Sequence, residues 1–105
     1  MTISHPEDLT EFRKIVKDNQ YVILDFSAKW CGPCKAIAPK FEQMSNNVNF
    51  SKWKFLKVDV DDNQDISDMF GISSLPTFIF IKDGTPVSTI TGVNEKQIME
   101  NLSSL

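Results

Sequence analysis

Both cysteines of the chain lie in the segment Trp30-Cys31-Gly32-Pro33-Cys34. Two thiols at C-x-x-C spacing can close on each other and reopen, exchanging an electron pair with a disulfide elsewhere. The segment follows an apolar run, Tyr21 to Ala28, and leads into a stretch of helical periodicity. That junction sets Cys31 at the positive end of a helix, where a thiolate is favoured. Cys31 is therefore the expected attacking sulfur. Gly32 leaves its approach open, and Pro33 starts the helix at a position that needs no backbone donor. Cys34, one turn further on, is expected to be more buried and protonated at rest. It would resolve a mixed disulfide by attacking the Cys31 sulfur, and for that it must lose a proton.

Other uses of the pair fit less well. A structural staple between Cys31 and Cys34 would close a loop of about four residues, which chain entropy values at only roughly 2 kcal/mol. Structural zinc wants four nitrogen or sulfur ligands, and the single histidine, His5, is far away in sequence.

Asp25 is the candidate proton acceptor for Cys34. Its neighbours Leu24 and Phe26 favour a buried carboxylate over one turned to water, and burial raises a carboxyl pKa. Lys57, midway along the next strand, is its candidate charge partner. The second informative segment is Ser74-Leu75-Pro76-Thr77. A proline directly before a strand cannot donate to the ladder, and tight turns are where cis bonds occur. Taken alone, Pro76 reads as trans, the majority state.

These residues need a scaffold, and hydrophobic periodicity supplies one. Leu9, Phe12, Ile15 and Val16 space a helix over 6–18, with Ser4 or His5 as cap and Pro6 in the first turn. The near-continuous apolar run 21–28 reads as a strand buried on both faces. A helix follows from Pro33 to about Asn47, with Pro39 inside it expected to kink it. Residues 53–60 alternate as a strand. Asn63 caps a short helix bearing Ile66, Met69 and Phe70, which Gly71 ends. Strands 77–82 and 87–91 flank an Asp83-Gly84 hairpin turn. Asn94 caps a last helix with Ile98, Met99, Leu102 and Leu105 turned inward. With a short opening strand at 2–3, the order implies an α/β fold, a mixed central sheet with helices on both faces.

The spacing of these elements resembles the thioredoxin family over essentially the whole chain, 1–105, as one domain. Asp25, the Trp30–Cys34 motif, Lys35, Pro39, Lys57, Asp59, Pro76, Thr77, Gly84 and Gly92 all fall in register with it. The resemblance implies a five-stranded mixed sheet flanked by four helices and a cis Pro76 beside the cysteines. It implies that Trp30, Gly32, Pro33, Leu75, Pro76, Gly92 and Val93 form an apolar docking face where the backbone at Leu75 pairs with an extended client segment. Asp25 and Lys57 would assist proton transfer at Cys34. The activity implied is that of a general protein disulfide reductase, restored by an NADPH-dependent thioredoxin reductase, with clients such as peroxiredoxins and no cofactor of its own. Three positions depart from the common pattern. Ser27 stands where many members carry an aromatic residue, Lys29 where an acid is frequent, and Ser74 where glycine is frequent. Lys29 is expected to favour the Cys31 thiolate modestly.

Two other readings remain at this point, an oxidase or isomerase on the same fold and a non-catalytic docking subunit. Gly32-Pro33 favours the reductant over the first, and the presence of both cysteines and Asp25 gives the second no support. The formal charge of −3 offers no case for nucleic acid or an anionic membrane. The apolar runs at 21–24 and 78–81 are too short to span a bilayer. The N-terminal residues do not read as a signal peptide, so a cytoplasmic location is expected, and the chain is expected to be a monomer. His5, Tyr21 and Trp53 read as structural or surface residues without a catalytic part.

Overall fold

A computed structural model describes residues 3–105. Its sheet contains β1 (Ile3–Ser4), β2 (Tyr21–Ser27), β3 (Lys54–Asp59), β4 (Thr77–Lys82) and β5 (Thr85–Thr91), in the order β1-β3-β2-β4-β5. β3 runs parallel to β1 and to β2, whereas β4 and β5 are antiparallel to their neighbours. The helices are α1 (Leu9–Asp18), α2 (Gly32–Asn46), α3 (Gln64–Met69) and α4 (Glu95–Ser104). The expected five strands and four helices are thus present. The opening strand is at Ile3–Ser4, and Thr2 lies outside the described residues.

β2 occupies the middle of the sheet, and every residue from Val22 to Ser27 is buried. Successive strand residues face opposite ways, so β2 feeds two separate cores. Ile23 packs with Phe55, Phe78 and Phe80, and with Ile37, Phe41 and Met44 of α2 and Ile98 and Leu102 of α4. Val22, Leu24 and Phe26 pack on the other face with Leu56, Val58, Phe12 of α1 and Ile66 of α3. Asp25 shares the parity of Ile23 and therefore lies on the face that α2 covers.

Several boundaries differ from the sequence reading, each for a local reason. α1 begins at Leu9, because Asp8 provides the cap: its carboxylate accepts the Glu11 N–H at 2.9 Å. Neither Ser4 nor His5 caps this helix, and Pro6 is buried ahead of it. Asn63 stands at the start of α3 without capping it, since its amide donates instead to the Pro6 carbonyl at 3.3 Å. In α4, Ile98 and Leu102 lie one turn apart and are buried, while Met99, next in sequence to Ile98, turns outward. Asp83 (φ 53°) and Gly84 (φ 77°) both adopt left-handed backbone, the geometry that matches a two-residue hairpin to strand twist, and β5 starts directly after them. A single 3₁₀ turn at Val48–Phe50 had no periodic signal to reveal it.

Trp53 immediately precedes β3. Its indole N–H donates to the Leu102 carbonyl at 2.9 Å, and its ring meets Tyr21 and Phe80 edge-on. This contact fastens α4 to the sheet. Phe41 plays the same part for α2, with ring centroids 5.3 Å from Phe55 and 5.7 Å from Phe78. Phe41→Ala is expected to lower the unfolding free energy by about 3–5 kcal/mol in urea titration. Val48→Ala, at a side chain left in solvent, is expected to change it by less than about 0.5 kcal/mol.

Candidate functional site

Cys31 occupies the cap position of α2, and its sulfur accepts the Cys34 backbone N–H at 3.2 Å. A helix cap is ordinarily an oxygen; a sulfur in that place sits where N–H dipoles converge, which favours negative charge on it. Cys31 and Cys34 are joined as a disulfide, with Cα atoms 5.3 Å apart. Cys34 was expected to be the more buried of the two, yet in this oxidised form the residues are 5% and 3% exposed, a negligible difference. Pro33 lies in the first turn of α2, and the helix continues through Pro39. A Cβ placed on Gly32 would meet no heavy atom within 4 Å. Internal packing therefore does not demand glycine there, and what the missing side chain leaves clear is the space outside the disulfide.

Three loops meet around the sulfurs. Ala28 packs with both cysteines, and Val60 and Leu75 lie against them. The Leu75–Pro76 peptide bond is cis, as the family resemblance implied and contrary to the trans state favoured for an isolated turn proline. The Thr77 hydroxyl donates to the Ser74 carbonyl at 2.7 Å. Gly92, at φ +85°, donates its N–H to the Pro76 carbonyl at 2.9 Å and ties the loop after β5 to the loop before β4. Trp30 is 70% exposed and Val93 is 51% exposed, Gly32 and Pro33 are exposed, and Pro76 is buried. The indole N–H of Trp30 donates to Asp61 at 2.8 Å, which holds a large apolar ring upright in water. Sequence reasoning missed Asp61, because a partner 31 positions away leaves no spacing signal.

Asp25 is 1% exposed, and neither carboxylate oxygen has a hydrogen-bond partner among the described residues. It stands opposite Lys57 in the β2–β3 register, as the sequence reading anticipated. Burial pushes its carboxyl up to about 7, against the opposing pull of the Lys57 ammonium. Lys57 is half-buried and, with Cys34, Ser27, Ala28, Lys35 and Asp59, lines a cavity of about 540 Å³ behind the disulfide. His5 lines the same cavity, a placement that its position ahead of α1 did not reveal.

The native state thus holds a proton on Asp25 that the unfolded chain releases near pH 4. Between about pH 4 and 7 the native state binds more protons, so stability falls as pH rises through that window. At about 1.4 kcal/mol per pKa unit, full ionisation costs on the order of 4 kcal/mol. Asp25→Asn is expected to stabilise the oxidised protein by a few kcal/mol above pH 8, with the gain vanishing below about pH 4, in denaturant titrations across pH.

Comparison with known proteins agrees with this geometry. The family profile described as Thioredoxin matches residues 4–104. Thioredoxin-1 of Schizosaccharomyces pombe is 40% identical over 102 residues, 97% of each chain. The oxidised form of mitochondrial thioredoxin 3 from Saccharomyces cerevisiae superposes with a TM-score of 0.91 at 34% identity, covering 98% of this chain and 95% of that one. A chain solved in work on the thiol resolving mechanism of yeast mitochondrial 1-Cys peroxiredoxin via glutathione/thioredoxin systems gives a TM-score of 0.91 at 33% identity, covering 99% and 96%. The sheet order and flanking helices are those of the thioredoxin fold, and the close cysteine pair makes the protein a disulfide oxidoreductase that reduces disulfides in client proteins. By sequence, fold and redox centre together, the chain belongs to the thioredoxin family.

Proposed function

We propose that Cys31 is the attacking thiolate and Cys34 the resolving thiol of a general protein disulfide reductase. The observation that carries this assignment is the cap geometry: the Cys31 sulfur receives a backbone N–H at the start of α2, whereas Cys34 lies within the helix above the cavity that Lys57 lines. The Cys31 thiolate attacks one sulfur of a client disulfide. The client S–S bond breaks, one client thiolate leaves, and a mixed disulfide forms. Asp25, as carboxylate, takes the proton of the Cys34 thiol, assisted by Lys57. The Cys34 thiolate then attacks the Cys31 sulfur and displaces the second client thiolate. The client gains two electrons, its two thiolates take protons from solvent to become a dithiol, and Cys31–Cys34 is left oxidised.

Docking falls to Trp30, Gly32, Pro33, Leu75, Pro76, Gly92 and Val93. Leu75 lies ahead of β4 and outside its paired register, which leaves its backbone in place to meet an extended client segment as one more strand. Peroxiredoxins are among the proposed clients, by analogy with the yeast work in which a similar chain was solved. An NADPH-dependent thioredoxin reductase would return the pair to the dithiol. The protein would act as one domain, as a monomer, carrying electrons in the cytosol. Both of its cysteines belong to the reactive pair, which suits a compartment where thiols are kept reduced.

Two measurements test the assignment. The reduction potential, read by tryptophan fluorescence against a dithiol buffer, is expected near about −270 mV, a value known for thioredoxin rather than derived from this geometry. A value of about −180 to −120 mV would instead indicate an isomerase or oxidase. With a disulfide client such as insulin, Cys34→Ser is expected to accumulate a mixed disulfide visible by mass spectrometry, and Cys31→Ser to form none. Equal trapping by both variants would overturn the order of attack.

A further inference from the structure

We propose that His5 is a proton-relay residue, carrying protons between solvent and the cavity behind Cys34. The inference rests on the reading of Asp25 as proton acceptor and extends it outward. Asp25 is enclosed and its oxygens have no partner among the described residues, so a proton taken from Cys34 must still reach solvent before the next cycle.

The sheet lays out a path. β1 pairs in parallel with β3, placing Ser4 opposite Leu56. Continuing that register sets His5 beside Lys57, which is itself opposite Asp25. Ile3 packs into the core beneath α2, so His5, two residues on, has the same facing. His5, just past the end of β1, thus extends on the same face the row made by Lys57 of β3 and Asp25 of β2, spanning roughly 10 Å at the usual strand spacing. His5 is exposed, and it lines both the 540 Å³ cavity that reaches Cys34 and an adjoining one of about 410 Å³ beside α2. Both are roomy enough for water, and Lys57, which lines both, stands between the ring and the buried carboxyl.

The chemistry of the lining singles out the ring. The charged groups facing His5 are Lys57 and Asp59 of β3, Asp62 after it, Lys29 before α2, and Lys35 and Glu42 on α2. An ammonium has no lone pair to accept a proton. An ordinary carboxylate is too weak a base to draw one from a carboxyl held near neutrality. A neutral imidazole carries a lone pair on one ring nitrogen and a proton on the other, so it can accept at one and donate from the other. In the forward step the Cys34 proton passes to Asp25, from Asp25 through water to the imidazole, and from the imidazolium to solvent. Re-reduction of the disulfide runs the same route inward. No electrons move along it.

The test is stopped-flow oxidation of the pre-reduced full chain by excess insulin in weakly buffered solution near neutral pH, followed by tryptophan fluorescence. His5→Gln is expected to slow the resolving phase several-fold, and added imidazole to restore it while leaving wild type unchanged. That rescue separates a relay from a structural effect. A His5→Gln phase as fast as wild type, or a slowed phase that imidazole does not restore, overturns the relay. Asp25→Asn, run in parallel, isolates the parent reading. If it is slow while His5→Gln is fast, only the relay falls; if Asp25→Asn matches wild type, the acceptor role of Asp25 falls, and the relay with it.

Discussion

Burial of β2 on both faces is the constraint on which the site depends. Flanked by β3 and β4, and covered by α2 and α4 on one side and α1 and α3 on the other, this strand has no wet surface between Val22 and Ser27. A polar group it carries is shut away from bulk solvent. Asp25 is therefore held in a neutral-leaning state by the same packing that stabilises the domain. The chain leaves β2 at the sheet's end and turns within a few residues into α2, which presents Cys31 at the helix start. One strand thus fixes the place of the carboxylate and, through the turn that follows, the place of both sulfurs.

The two halves of the site use opposite electrostatics. At Cys31 the helix N-terminus favours the charged form. At Asp25 burial disfavours it, and Lys57 offsets only part of the cost. In the exchange we propose, a nucleophile held charged and an acceptor held ready to be neutral would suit successive steps, the first needing a thiolate and the second a proton sink near neutral pH. The outer surface obeys a third rule. Trp30 is 70% exposed and bonded to Asp61, and a Cβ on Gly32 would meet nothing within 4 Å, so neither residue is committed to the core.

Legibility followed the range of each interaction. The Cys31–Cys34 pair, the helix beginning at it and the hairpin at Asp83-Gly84 are local patterns, written within a few residues. Asp25 was legible because its flanking apolar residues announce burial. The cap of α1 was misread because Ser4 and Asp8 are both plausible caps by type, and only the fold shows that the helix starts at Leu9, directly after Asp8. Met99 was misread because, beside Ile98, a short apolar stripe does not say which edge faces the core.

The amino-acid sequence by itself determined the redox chemistry, the succession of strands and helices and the family, since each rests on residue types at short spacing. Only the tertiary structure decided that Trp30 is held by Asp61, that Leu75 packs against the cysteines and that His5 shares a cavity with Cys34. The physical reason is that these depend on strand order and on which loops meet at the sheet's end. β1 adjoins β3, and the loops before β4 and after β5 converge there, through pairings tens of residues apart that no local pattern encodes.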